Sequence, residues 1–257
     1  MKNFIIAVLF IAEISFLSAG VQAQSKGNDL LKKIEALLEI TTDIKAAVTL
    51  TQQKTNQGTK KIEMSYYRRD SDDSFLIVMT NPESEKGNGY LRTGDNFWMY
   101  RKNTRTFQHI NRDESIGGSD AKGDDFEKRK LTEMYDVALD GAGKEMISEE
   151  KLGDIPVYKM EVKAKVNDVD YPKKIYWVQK DKNLILKEQA YSLSGTLMQT
   201  AYFRKYTIVD GRYVAVEQLF IDEFEKGNKT LVELSNISTS KLDDKIFTKA
   251  YLENLSK

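Results

Sequence analysis

The second half of the chain does most to limit what it can fold into. Seven segments there read as strands: 144–151, 155–164, 173–180, 184–193, 197–206, 213–222 and 229–237. Turn signals separate these segments: Gly153-Asp154, Asn167-Asp168, Asp181-Lys182-Asn183, Ser194-Gly195, Asp210-Gly211 and Gly227-Asn228. Short runs rich in β-branched and aromatic residues, bounded by turn residues, are the signature of strands. Many of the connections are only two to four residues long. Such links join antiparallel neighbours and are too short for the crossover that a parallel pair needs. An antiparallel meander follows, and a βαβ fold is excluded.

The first half repeats the pattern after one helix. Leu30, Leu31, Ile34, Leu37 and Leu38 recur at helical spacing, which predicts an amphipathic helix over 29–40 with Asn28 as its cap. Strands are expected over 45–54, 60–69 and 74–80, the last apolar on both faces as a doubly covered strand should be. The stretch 90–126 then changes grammar. A strand–turn–strand unit ends in Phe97-Trp98-Met99-Tyr100, and a short strand covers 106–110. Sheet pattern stops at Ile116-Gly117-Gly118-Ser119-Asp120, and a polar segment follows whose part 124–135 is expected to be helical. The total is roughly ten or eleven strands in one sheet, and an open twisted sheet of that size curls. Its concave face needs a cover, for which the helix at 29–40 and the insert at 116–136 are available. The fold class is therefore mainly β with flanking helices.

The 257 residues include 39 basic and 39 acidic side chains. That balance argues against nucleic acid as a partner, and the length suits one domain. No cysteine is present, which excludes thiolate chemistry and lipid attachment through sulfur. Residues 1–23 read as an export signal: Lys2, then the apolar run from Phe4, then Val21-Gln22-Ala23, with cleavage expected after Ala23. Glu13 inside that run disfavours a retained span, since an acidic residue at mid-helix costs about 3 kcal/mol. A single exported domain over 24–257 is the expectation.

Catalytic constellations are missing. The lone histidine, His109, sits beside Phe107 at strand parity and reads as structural or surface-exposed. There is no G-x-S-x-G elbow and no phosphate loop. Asp120, Asp124 and Asp125 lie near Ser119 and could hold a hard cation, but capping of the following helix is the better reading. Metal and cofactor are therefore not expected, and neither is catalysis. Trp98, Tyr100, Tyr66 and Trp177 could be stacking residues, core or cavity wall, and Met64, Met79, Met99 and Met160 could be core or an adaptable apolar surface.

Gly94-Asp95-Asn96-Phe97-Trp98-Met99-Tyr100, followed by Ile116-Gly117-Gly118-Ser119-Asp120 and Asp124-Asp125-Phe126, resembles the outer-membrane lipoprotein-sorting family of LolA-like proteins. Leu234-Ser235-Asn236-Ile237 and the tail from Ile246 to Leu252 resemble that family's closing strand and C-terminus. The resemblance implies an incomplete antiparallel β-barrel with a helical lid over an apolar cavity. It also implies a monomeric periplasmic carrier of lipoprotein or lipid acyl chains, with an inner-membrane transporter as donor and an outer-membrane acceptor. Strand parity would line the cavity with Val48, Leu50, Ile62, Met64, Tyr66, Ile77, Met79, Met99, Met160 and Val162. Gly117 and Gly118 would be the lid hinge, and Ser119, Asp120 or Asp124 the lid cap. A lipid-sensing regulator on the same fold is the alternative. Relatives of that kind carry a second C-terminal domain, for which no room is expected here.

Overall fold

The computed structural model describes residues 25–111, 114, 116 and 130–256. Helix α1 spans Lys26–Leu38 and begins earlier than its apolar stripe suggests. Ser25, not Asn28, is the cap: its side chain accepts from the Asn28 backbone N–H at 3.0 Å. Asn28 is turned outward from the helix instead, and its side-chain oxygen accepts from the Val137 N–H at 2.9 Å. Both residues are good caps in isolation; the distant strand claims one of them. Gly27 permits the close approach. A Cβ there would lie 2.6 Å from Val137 Cγ2.

The strands are β1 Ile44–Lys54, β2 Gly58–Arg69, β3 Ser74–Asn81, β4 Gly89–Thr93, β5 Asn96–Arg101, β6 Thr106–His109, β7 Tyr135–Val137, β8 Ile147–Leu152, β9 Ile155–Ala164, β10 Lys173–Gln179, β11 Ile185–Tyr191, β12 Leu197–Val209, β13 Arg212–Asp222 and β14 Lys229–Ser238. Together they form one 14-stranded antiparallel sheet in the order β6-β5-β4-β3-β2-β1-β14-β13-β12-β11-β10-β9-β7, with β8 also paired to β9. The sheet is larger than expected. Two meanders, β1 to β6 and β9 to β14, fuse where β14 lies against β1, with Val48 opposite Leu234. Among the described residues the edge strands are β6 on one side and β7 with β8 on the other, so the curved sheet stays an open half-barrel.

Two local expectations need correction. Of the helix expected over 124–135, the described part is α2, Leu131–Met134; Tyr135 already belongs to β7. The three residues of β7 are too few to show a period, and they pair with β9, with Val137 opposite Val162. The strand expected at 144–151 starts later. Asp140 folds the chain back first, its Oδ1 accepting from the N–H groups of Ala142 and Lys144 at 2.9 Å each.

Both faces of the sheet are packed. On the outer face, Tyr67, Leu76, Val78, Leu91 and Tyr100 lie under Ile246, Phe247 and Leu252. The covering residues come from a 3-10 turn, Asp244–Phe247, and helix α3, Lys249–Leu255. Arg69 ties this cover down, pairing with Asp72 and Asp244 and lying 4.5 Å over the Phe247 ring. On the inner face, α1 packs Leu30, Leu31 and Ile34 against Met160, Val162, Tyr176 and Val178. Each such side chain contributes about 1.5–3 kcal/mol by burial. Strand β3 is apolar on both faces because Leu76 and Val78 lie under the C-terminal cover while Phe75, Ile77 and Met79 pack on the other side with Tyr90, Phe97, Ile110 and Ile116.

Candidate ligand-binding cavity

A cavity of about 530 Å³ lies on the inner face. Val48, Leu50 and Tyr66 of β1 and β2 form one wall, and Phe220, Val232 and Leu234 of β13 and β14 form the next. Leu38 and Ile40, at and beyond the end of α1, and Met134 and Tyr135 close over it. The size falls within the range of small-molecule sites. The walls differ in one respect. Leu50 is fully buried, whereas Phe220, Val232 and Leu234 remain half-buried. Val232 and Leu234 pack in part on the buried cluster of Val48 and Leu50, and with Phe220 they leave the rest of their apolar carbon open to the cavity.

Charged groups punctuate the wall. Lys174 and Glu188 form a pair at 2.8 Å, with side chains 19% and 14% exposed. Burial works against the Lys174 charge, but the Glu188 carboxylate, with Tyr176 and Tyr135 nearby, outweighs it and holds the ammonium above its usual range. The ammonium also faces the Tyr135 ring at 5.6 Å, and the Tyr135 hydroxyl donates to the Tyr171 carbonyl at 2.9 Å. Towards the other end of the strands, Arg68 Nε meets Asp70 Oδ1 at 2.7 Å. Both ion pairs are largely internal, so they leave the cavity with polar punctuation and little net charge. Beside Arg68, burial pushes the Tyr66 phenol up to about 12.

The residues singled out from sequence fall into separate groups. Val48, Leu50 and Tyr66 line the cavity and also belong to the buried cluster behind it. Ile62, Met64, Ile77 and Met79 share their face but are at most 1% exposed, packed with Tyr90, Phe97, Ile110 and Ile116. Met99 packs partly exposed on that cluster. Met160 and Val162 lie in the other cluster, beneath α1. Gly117, Gly118, Ser119, Asp120, Asp124 and Asp125 lie outside the described residues. His109 is exposed on β6, its ring edge-on to Trp98 at 4.9 Å. Among the described residues, no three His, Cys, Asp or Glu side chains gather as a metal site.

Sequence reasoning missed the β13 and β14 wall and the paired charges. A signal existed for the latter. Lys174 alternates with Tyr176 and Val178, and Arg68 with Met64 and Tyr66, so each cation occupies an inward position on an otherwise apolar face. Period-two parity places it there and predicts a buried partner.

The comparisons with known proteins agree with this architecture. A model of an "Uncharacterized protein"-like family matches residues 71–254. A search of curated proteins returns no match. Among solved structures, a LolA superfamily protein from Nitrosomonas europaea superposes with a TM-score of 0.71 at 20% identity, covering 88% of this chain and 98% of its own. An outer-membrane lipoprotein-sorting protein domain from Vibrio parahaemolyticus gives 0.74 at 18% identity, covering 89% and 98%. A DUF1329 family protein from Desulfovibrio piger gives 0.75 at 21% identity, covering 88% and 97%. The chain therefore belongs to the family matched over residues 71–254, and its fold is the LolA-like half-barrel found in outer-membrane lipoprotein-sorting proteins.

Proposed function

We propose that the protein is an exported, non-enzymatic carrier that holds the acyl chains of lipoproteins or other lipids in this cavity and moves them through the periplasm towards the outer membrane. One observation carries the reading: the half-buried apolar wall of Phe220, Val232 and Leu234 facing a space of about 530 Å³. Acyl chains gain about 0.8 kcal/mol for each methylene removed from water. A carrier therefore needs apolar concavity and a cover, not a nucleophile or a metal. The lipoprotein-sorting and LolA descriptions attached to structures of the same fold support the same role. The export signal read at 1–23 supports the location. The Lys174–Glu188 and Arg68–Asp70 pairs stand towards opposite ends of the space, so the polar portion of such a ligand would meet one of them while the chain lies along β13 and β14.

Mass spectrometry of protein purified without detergent tests this. The expected result is co-purifying lipid that carries acyl chains. Protein that arrives bare, and takes up no acyl ligand after delipidation, would overturn the proposal.

A further inference from the structure

The β11–β12 and β13–β14 hairpins turn at the same end of the sheet, because Gln199 of β12 pairs with Asp222 of β13. Each turn carries one large apolar side chain in solvent. Leu193 is 91% exposed and Phe224 is 68% exposed. Single exposed apolar residues are ordinary; these two stand out by how they are held. In the first turn the Ser192 N–H donates to the Thr196 carbonyl at 2.9 Å, and the Thr196 N–H donates to Ser192 Oγ at 3.1 Å. Gly195, at φ +84°, supplies the left-handed residue. In the second turn, Asp222 Oδ1 accepts from the N–H groups of Phe224 at 2.9 Å and Glu225 at 2.7 Å. Thr55 of the neighbouring β1–β2 hairpin braces it, donating from N–H to Asn228 Oδ1 at 2.9 Å and from its hydroxyl to the Lys226 carbonyl at 3.0 Å. Both turns satisfy their own polar groups and present an apolar side chain outward.

We propose that this end of the sheet docks on a lipid surface, with Leu193 and Phe224 entering the outer part of a bilayer. The two side chains stand on separate projections. A fluid surface closes around each of them without needing a matching pocket. The turn around Leu193 contributes only hydroxyls and glycine, which sit well among headgroups. Around Phe224 are Asp222, Glu223 and Glu225 against Lys226, so attraction to anionic lipid is not the driving force. Apolar insertion is, and it resists salt. Two side chains give weak, reversible attachment. Gln199, Phe220 and Thr230 of the cavity wall lie at this same end, so docking brings that part of the wall close to the bilayer. The inference rests on the turns and does not depend on what the cavity holds.

Co-sedimentation with phosphatidylcholine vesicles, with and without phosphatidylglycerol and at low and high salt, tests it. Wild-type protein should bind both kinds with little salt dependence, and L193S/F224S should bind at least about tenfold less. Both sites are exposed, so the double variant should melt like wild type. No binding by wild type, equal binding by the variant, or binding confined to anionic vesicles at low salt would each overturn the inference. Uptake of a soluble fluorescent fatty acid separates this result from the carrier reading. Equal uptake by the two proteins is expected; no uptake by either would count against the carrier while leaving the vesicle result standing.

Discussion

Tyr66 lies on the cavity wall with its ring buried, and burial moves its phenol from 10.0 to about 12. Tyr176 and Tyr206 are raised for the same reason, and Lys174 is raised because Glu188 overcomes its burial. In every case the folded state keeps its proton to higher pH than the unfolded chain. Stability from these groups is therefore complete below pH 10 and is lost as pH climbs through the folded values. For Tyr66 the two-unit shift corresponds to about 3 kcal/mol lost between pH 10 and 12. Urea unfolding across that range should show a steep fall in stability. Tyr66→Phe should lessen the slope by about 1.4 kcal/mol per pH unit, and an unchanged slope would place the titration elsewhere. At this scale the sequence was partly legible. Parity marked Val48, Leu50 and Tyr66 as inward-facing, but parity cannot tell wall from core. Ile62 and Leu50 share a face and a packed cluster, and only the position of β14 beside β1 puts Leu50 against the cavity as well.

Long elements were readable because their patterns are long. β9 and β13 are long runs of strand-forming residues between turn signals, and the stripe of α1 runs through Leu38. Short ones were not: β7 has three residues, and its pairing with β9 is written in contacts far along the chain. The cap of α1 was misplaced for the same reason, since Val137 takes the Asn28 side chain. The C-terminal cover gives a test at this level. On β4, a Cβ at Gly89 would lie 2.5 Å from Leu252 Cδ1 and 2.7 Å from the Ile77 carbonyl oxygen. The backbone atom cannot swing away as a side chain can. Gly89→Ala should cost about 1–3 kcal/mol, measured by urea unfolding, and should expose the α3 region to protease. Full stability in that variant would mean that α3 does not pack as closely as described.

The whole molecule depends on a contact that no local pattern announces. Antiparallel order within each meander follows from the short turns, but the pairing of β14 with β1 joins segments almost two hundred residues apart (Thr49 opposite Glu233, for instance). That single seam turns two meanders into one curved sheet, and the cavity lies along it. Acyl-chain capture by this space is the central claim. The most direct measurement is titration of a fluorescent fatty acid into delipidated wild-type protein and into Val232→Trp, which fills the seam side of the cavity with an indole. Saturable uptake by wild type, reduced at least about tenfold in the variant with no loss of the folded melt, is the predicted result. Wild-type protein that takes up no probe, or a folded V232W variant that takes it up equally well, would contradict the assignment of this cavity as the acyl-chain site.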